Sequence, residues 1–207
     1  MIFRLFLFLL LLPITAYAKI NTIYLAGGCF WCVEEVYEKL KGVIDVRSGY
    51  SGGHVENPTY QEVVKGDTGH IEVAEIIFDS DIVSLDQIIR VFFVNIDPFD
   101  GTGQFCDKGY SYKSALFSND QIVIDKFNFY IDKIQENHKQ NVETLILPFK
   151  NFYVAEEYHQ DYYKKNPIRY TYYKYSCGRE QRIKQLKINL GWLSSYYSVS
   201  YTHLRAH

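Results

Sequence analysis

The chain lacks an excess of charge of either sign. Its 207 residues carry 22 Lys and Arg against 24 Asp and Glu, a formal net charge of -2, and no segment forms a basic stripe. Because phosphate backbones are bound by clustered Lys and Arg, this balance argues against a nucleic-acid partner. Internal repeats are also absent from the sequence. The length suits one domain that can bury a core without disulfide staples.

A hydrophobic run long enough to cross a bilayer, which takes about 20 residues, is missing too. The longest run, residues 5–12, follows Arg4 and precedes Ala16-Tyr17-Ala18, which has the small-x-small pattern of a cleavage site. We interpret residues 1–18 as an export signal cleaved after Ala18; an uncleaved anchor is the alternative. No cysteine follows the run, which argues against a lipid anchor. The mature chain is expected to be periplasmic or secreted, without stable membrane association.

Cysteine is scarce, and all four cysteines (Cys29, Cys32, Cys106 and Cys177) lie after the predicted signal. In an oxidising compartment an even number first suggests structural disulfides, but a domain of this size does not need them. Cys29 and Cys32 are three residues apart, and the other two stand in glycine-rich surroundings, so redox chemistry is favoured. A second ligand pair at zinc-like spacing is absent, and no metal is expected.

The chain is organised around the segment that contains Cys29. Residues 22–26 form a short apolar run typical of a buried strand, and apolar residues recur at helical spacing over 33–40. Cys29 is therefore predicted at a helix N-terminus, after a tight turn at Gly27 and Gly28. The helix dipole and the unpaired N–H groups there favour a thiolate, which suits a nucleophile. A buried, unreactive thiol is the alternative.

The remaining pattern mixes strands and helices without strict alternation. We predict a capping box at Ser84 and Gln87, which starts a helix that ends at Asp97. The sequence beyond Pro167 has little periodicity before a basic helix. We expect an α+β fold with a central mixed sheet, helices packed on it, a ferredoxin-like two-layer core and an irregular C-terminal tail. The predicted segments are strands at 22–26, 43–50, 70–78, 112–117, 143–147 and 152–154, helices at 119–140, 155–165 and 179–190, a domain over 19–192 with a tail from about 167, and a non-native or disordered end at 193–207.

Gly28-Cys29-Phe30-Trp31-Cys32-Val33-Glu34 resembles the signature of the peptide-methionine (S)-S-oxide reductases, the A-type methionine sulfoxide reductases. Further matches follow in the same order over about residues 22–180. Together they are highly specific, whereas any one alone would be weak. They are Gly49-Tyr50-Ser51-Gly52-Gly53, Asn57-Pro58-Thr59-Tyr60, Gly66-Asp67-Thr68-Gly69-His70-Ile71-Glu72, Asp97-Pro98, Tyr112-Lys113-Ser114, Ala155-Glu156, His159-Gln160 and Asn166-Pro167.

The resemblance implies a role for each matching residue. Cys29 would attack the sulfoxide sulfur, and Glu72 would protonate the oxygen, with Glu34 as the alternative acid. The chemistry agrees, because a sulfoxide oxygen leaves poorly until protonated and needs a carboxylic acid of raised pKa beside the thiolate. The other implied residues are Tyr60 and Tyr112, which would hold the oxygen, Phe30 and Trp31, which would form a pocket for the methyl group, and Asp107, which would shape the site through hydrogen bonds.

A second thiol must then condense with the sulfenic acid left on Cys29. The resemblance favours Cys177, because relatives commonly carry recycling cysteines in such a C-terminal tail; Cys32 and Cys106 are the alternatives. A thioredoxin-like dithiol would reset the enzyme, which is expected to be a monomer without a bound cofactor. Its substrate would be methionine sulfoxide, free or in proteins.

Two other functions remain open at this point. One is a thiol–disulfide oxidoreductase that uses Cys29-x-x-Cys32 as its redox pair. The other is a binding module in which the 19 tyrosines form the surface and the cysteines are structural. His70 and His159 are expected to be structural hydrogen-bonding residues in each case.

Overall fold

The computed structural model describes residues 19–188 and residue 190. The predicted signal at 1–18 and the predicted end at 193–207 lie outside the described residues. Among the helices that the structure describes, none combines the length and the hydrophobicity needed to cross a membrane.

Strands and helices are interspersed along the chain, as its pattern predicts. The strands are β1 (Ile20–Gly27), β2 (Val43–Ser51), β3 (Ile71–Asp79), β4 (Gly103–Gln104), β5 (Asp107–Lys108), β6 (Ser114–Phe117), β7 (Leu145–Leu147) and β8 (Phe152–Val154). The helices are α1 (Phe30–Glu38), α2 (Tyr60–Lys65), α3 (Leu85–Val94), α4 (Gln121–His138), α5 (Tyr162–Lys165), α6 (Pro167–Ser176) and α7 (Arg179–Leu186), with a 3-10 turn at Tyr110–Tyr112.

Six strands form one mixed sheet in the order β7-β6-β1-β3-β2-β8, and β4 pairs with β5 in a separate hairpin. The four central strands β6, β1, β3 and β2 pair with one another in antiparallel orientation. With α1 and α3 between them, they follow the β-α-β-β-α-β order of a ferredoxin-like core. β7 adds to β6 in parallel, which makes the sheet mixed. The predicted α+β fold is confirmed.

The two faces of the sheet are covered differently. Because side chains alternate along a strand, Ala74 and Ile76 of β3 face α1, α3 and α4, while Ile71 and Val73 belong to a second cluster with residues of β6, β7 and β8 and with Phe149. Glu72 follows the same alternation and lies on the helix-covered side. The sheet therefore directs one carboxyl group toward the start of α1.

Two capping boxes fix the beginnings of helices on this scaffold. Ser84 and Gln87 cap α3 reciprocally, as the sequence predicts. Thr59 and Glu62 do the same for α2. The second box sets the orientation of Tyr60, the first residue of α2.

The C-terminal segment differs from its prediction. The stretch beyond Pro167, expected to be irregular, forms α6 and then α7. Proline in the first helical turn costs no hydrogen bond, and the buried Tyr170 gives the helix an inner face. The helix predicted over 155–165 is too long, because residues 155–161 form turns and only α5 is helical.

Candidate active site

The strand register gathers the predicted site residues at one end of the sheet. Leu25 of β1 pairs with Ala74 of β3, so β1 ends level with the start of β3. Gly27 pairs with Ser114, the first residue of β6. The turn that carries Cys29 thus lies beside Glu72 and beside the residues that precede β6.

Cys29 is the N-cap residue of α1, and its carbonyl oxygen accepts a hydrogen bond from Cys32 N at 3.1 Å. Gly28 before it has φ 79°, and a Cβ at that position would lie 2.5 Å from the Cβ of Gln104. Gln104 is itself fully buried, and its amide exchanges two 2.8 Å hydrogen bonds with the backbone of Asp97. The polar loop at 100–109 is therefore anchored at Gln104 and packs directly on the turn that carries Cys29.

The Cys29 side chain is 6% exposed and lies among Tyr162, Tyr170 and Tyr173. Its thiol hydrogen-bonds that of Cys32, so the two form a coupled pair. Burial and the Cys32 thiol raise the pKa of Cys29, whereas the hydrogen bond from Cys29 and the charge of Arg179 lower that of Cys32. The pair thus releases one proton readily, from Cys32, and retains the other on Cys29, so the thiolate that the sequence predicts at Cys29 is not the favoured form, because burial outweighs the helix start.

Glu72 is 2% exposed, and its Oε2 accepts a hydrogen bond from Phe30 N at 3.0 Å. Burial raises the pKa of Glu72 to about 8, against the opposing effect of that N–H group. Near neutral pH it is a protonated carboxylic acid, and it is hydrogen-bonded to the backbone N–H of Phe30, the residue that follows Cys29. Glu34 also has a pKa raised to about 7 by burial, but its Oε1 accepts from Asp161 N at 3.0 Å. The geometry favours Glu72 as the acid of the site.

The hydroxyl groups of Tyr60 and Tyr112 interact with each other and lie near Glu72. Burial, reinforced by Glu72, raises the pKa of Tyr60 to about 12 and that of Tyr112 also above its usual value. Both hydroxyls therefore keep their protons and can donate. Glu156 holds the start of α2 in place, since its two carboxylate oxygens accept hydrogen bonds from Tyr60 N and from the Tyr50 hydroxyl, each at 2.9 Å.

Phe30 and Trp31 belong to an aromatic wall, and the methyl pocket that the resemblance implies for them stays a prediction. The Phe30 ring lies 5.1 Å from His159, and Trp31 stacks on Tyr162 at 3.8 Å. Trp31 Nε1 donates to His159 Nδ1 at 3.1 Å, while burial lowers the pKa of His159 and keeps it neutral. His159 is therefore a hydrogen-bonding member of the wall. His70 is structural, since its ring binds Gly53 N and the Val55 carbonyl.

Asp107 connects the site to the C-terminal segment. Its Oδ2 accepts a hydrogen bond from the Tyr173 hydroxyl and lies 4.0 Å from Cys177 Sγ. Burial raises the pKa of Asp107, although Tyr173 and then Arg179 oppose the shift. The aspartate therefore lies between the aromatic cover of Cys29 and the last cysteine.

Cys177 forms a disulfide with Cys106, which is exposed to solvent. Cys177 is the C-cap residue of α6, so it does not lie in the flexible tail that the sequence indicates. Cys106, Asp107 and Cys177 offer three possible metal-ligand atoms within 4.8 Å of one another. Their two sulfur atoms are bonded to each other, so they are not thiolate ligands in this state.

Several residues that hold the C-terminal helices over the site were not identified from the sequence. Glu35 of α1 accepts hydrogen bonds from the Tyr170 hydroxyl at 2.6 Å and from Lys174 Nζ at 2.7 Å. Arg179 is buried and donates to the Asn95 carbonyl at 2.6 Å. The proline after Asn166 and the spacing of the tyrosines were the signals that could have indicated a helix here.

Comparison with known proteins agrees with this arrangement. The family model described as "Peptide methionine sulfoxide reductase" matches residues 21–189. The chain is 45% identical over 162 residues to "Peptide methionine sulfoxide reductase MsrA 2" of Staphylococcus aureus (strain MW2), covering 77% of this chain and 92% of that protein. It is 49% identical over 165 residues to "Peptide methionine sulfoxide reductase MsrA/MsrB" of Vibrio cholerae, covering 78% of this chain but 43% of that longer protein.

Solved structures show the same fold. Reduced Mxr1 from Saccharomyces cerevisiae has a TM-score of 0.68 at 34% identity, covering 72% of this chain and 87% of that one. Methionine sulfoxide reductase A of Corynebacterium diphtheriae has a TM-score of 0.66 at 31% identity, covering 72% and 76%. Mxr1 in complex with Trx2 is similar at a TM-score of 0.50 and 25% identity, covering 72% and 90%.

Proposed function

Since the chain belongs to the peptide methionine sulfoxide reductase family, we propose that it reduces the S epimer of methionine sulfoxide, free or in proteins, to methionine. One observation carries the proposal beyond family membership. Glu72 is a buried carboxylic acid that bonds the backbone N–H next to Cys29 and holds its proton near neutral pH. A reaction that breaks an S–O bond needs such a donor, whereas plain disulfide exchange does not.

In the first step Cys29 passes its thiol proton to the Cys32 thiolate, to which it is hydrogen-bonded, and attacks the sulfoxide sulfur while Glu72 gives its proton to the oxygen. Donor hydroxyls on Tyr60 and Tyr112 hold that oxygen as negative charge develops on it. The S–O bond of the substrate breaks, the oxygen passes to the Cys29 sulfur as the transient S–S bond breaks, and methionine leaves with Cys29 as a sulfenic acid. Phe30 and Trp31 receive the methyl group of the substrate.

In the second step Cys177 attacks the sulfenic sulfur, water leaves, and a Cys29–Cys177 disulfide forms. Cys106 then attacks Cys177, which releases Cys29 as a thiol and leaves the Cys106–Cys177 disulfide. The exposure of Cys106 and its bond to Cys177 support this order. A thioredoxin-like dithiol reduces the surface disulfide, a choice supported by the relative solved with Trx2.

We also propose that the mature chain works as an exported monomer. The support is the charged start, the short apolar run and the small-x-small pattern within residues 1–18. Mass spectrometry of the protein secreted from expressing cells would find Lys19 as its first residue. If the exported protein still begins at Met1, residues 1–18 are an uncleaved anchor and not a cleaved signal.

The competing function is thiol–disulfide exchange by Cys29 and Cys32, which the contact between their thiols supports. The two functions differ in their response to pure epimers of methionine sulfoxide supplied with a small dithiol. We expect turnover of the S epimer alone and its loss in Cys29→Ser. No turnover of either epimer, with disulfide reduction intact, would establish the competing function.

A further inference from the structure

Tyr173 of α6 joins the two cysteines that the proposed reaction must connect. Its hydroxyl donates a hydrogen bond to Asp107 Oδ2 and also contacts the Cys29 thiol. The same Asp107 oxygen lies 4.0 Å from Cys177 Sγ. A continuous polar path therefore runs from Cys177 through Asp107 and Tyr173 to Cys29.

This path lies within a largely apolar environment. The Tyr173 ring packs with Cys29 and Tyr170, and its edge meets the face of Trp31 at a centroid distance of 5.9 Å. Tyr173 and Cys177 are also fixed relative to each other, because Cys177 N donates to the Tyr173 carbonyl at 2.9 Å. The cover leaves bulk water poorly placed to exchange protons with Cys29.

Condensation of a thiol with a sulfenic acid requires two proton movements. The attacking thiol must lose its proton, and the sulfenic oxygen must gain one before it can leave as water. In a covered site these protons have to come from positioned side chains, which is the situation in which general acid–base catalysis contributes most. Glu72 has given up its proton in the first step, so a second donor beside Cys29 can serve the resolving step.

We propose that Tyr173 is the general acid of the resolving step and that Asp107 is its base, an inference that rests on the proposed function. As Cys177 Sγ attacks the Cys29 sulfur, Asp107 takes the thiol proton. Tyr173 gives its hydroxyl proton to the sulfenic oxygen, and Asp107 returns the proton to the Tyr173 oxygen. One S–S bond forms, one S–O bond breaks, Cys177 is oxidised, the Cys29 sulfur is reduced, and water leaves.

Nearby charges are consistent with these roles. The buried Arg179 and the more exposed Lys108 both stabilise the carboxylate form of Asp107, which is the form that accepts a proton. Burial raises the pKa of Tyr173 far above its usual value, so the hydroxyl carries a proton to donate. Burial raises the pKa of Asp107, which makes its carboxylate a stronger base, and Tyr173 begins the step neutral.

The test is a single turnover of the full chain with S-methionine sulfoxide and no reductant. Methionine release measures the first step, and labelling of Cys29 by a sulfenic-acid trap such as dimedone measures the lifetime of the intermediate. In Tyr173→Phe we expect a sulfenic acid that persists about 10²-fold longer, the lower range for loss of a general acid. Methionine release should slow by much less, because the Tyr173 hydroxyl contacts the Cys29 thiol but gives no proton in the first step. Tyr172→Phe, an exposed neighbour on the same helix, is the matched control and should resemble the unmodified chain.

Each other outcome decides the question. A sulfenic acid that disappears from Tyr173→Phe at the original rate would overturn the role of Tyr173. If Tyr173→Phe releases no methionine while Tyr172→Phe still does, Tyr173 acts in the reduction step, and its proposed role in the resolving step is overturned as well. Absence of methionine release from the unmodified chain would contradict the proposed function instead. A Cys29–Cys32 disulfide as the first product would show that the path to Cys177 is not used.

Discussion

The two cysteine pairs of this chain occupy opposite environments. Cys29 and Cys32 lie at the start of α1 beneath a cover of tyrosine rings, and Cys29 is 6% exposed. Cys106 and Cys177 lie at the β4–β5 hairpin and at the end of α6, and Cys106 is exposed. The first pair is present as thiols and the second as a disulfide.

This difference indicates that the two pairs react with partners of different size. A methionine side chain is small enough to enter an aromatic pocket, but a folded dithiol protein cannot bring its own thiol to a covered sulfur. In the proposed reaction the oxidation has to pass from Cys29 to the surface, and we propose Cys106 and Cys177 as the residues that carry it there. Burial, rather than the chemistry of the thiol, assigns the two roles.

The strongest test of the buried site is the substitution Glu72→Gln. It removes the proton donor but keeps the size and the hydrogen bond from Phe30 N, so turnover of the S epimer should fall by about 10²- to 10⁴-fold. Glu75→Gln is the matched control, because Glu75 is a buried carboxyl on the same strand that faces the other side of the sheet. Equal activities of the two variants would remove Glu72 from the mechanism.

The pH dependence of the same residue follows from its raised pKa of about 8. Turnover that depends on protonated Glu72 should fall as the pH rises through about 8. Stability should change in the same direction, because the folded chain binds more protons than the unfolded one between the ordinary value of 4.5 and about 8. Urea midpoints at pH 6 and pH 9 should therefore differ less in Glu72→Gln than in the unmodified chain.

Cys106→Ser tests the surface pair with a smaller expected effect. Without reductant the unmodified chain should release about two methionines, because Cys29 returns as a thiol after the first cycle, and the variant about one. Turnover with a thioredoxin-like protein should fall several-fold in the variant, whereas turnover with a small dithiol should be largely retained. An unchanged yield of methionine would exclude Cys106 from the route.

Glu35→Gln tests the hydrogen bonds from Tyr170 and Lys174 that hold α6 over α1. Although burial opposes it, Lys174 lowers the pKa of Glu35 to about 2. Loss of the charged hydrogen bonds should reduce the free energy of unfolding by about 1–2 kcal/mol, measured with urea at pH 7. The Glu35 contribution is present above pH 4.5 and is lost as the pH falls toward 2, so the variant and the unmodified chain should converge in acid.

Predictions that depend on neighbouring residues succeeded. The capping box at Ser84 and Gln87 needs two residues three apart, and the alternation that places Glu72 toward the helices is a property of one strand. Each of these is fixed by covalent geometry over a few residues.

Predictions that depend on distant partners were incomplete. The weak periodicity beyond Pro167 indicated irregular structure, yet Tyr170 makes α6 a helix by packing against Cys32 and bonding Glu35, which are more than 130 residues away along the chain. The Cys106–Cys177 bond spans 71 residues. No local pattern encodes either contact.

The sequence by itself determined the ferredoxin-like strand and helix order, the placement of Cys29 at a helix start and the set of residues that resemble a reductase site. The tertiary structure decided that Glu72, and not Glu34, is hydrogen-bonded to the backbone next to Cys29. It also decided which cysteines are buried and which are exposed, and that Tyr173 lies between Asp107 and Cys29. The reason is physical. Local order is set by backbone geometry and side-chain period, whereas burial, raised pKa values and disulfide pairing arise only when remote segments exclude water from one another.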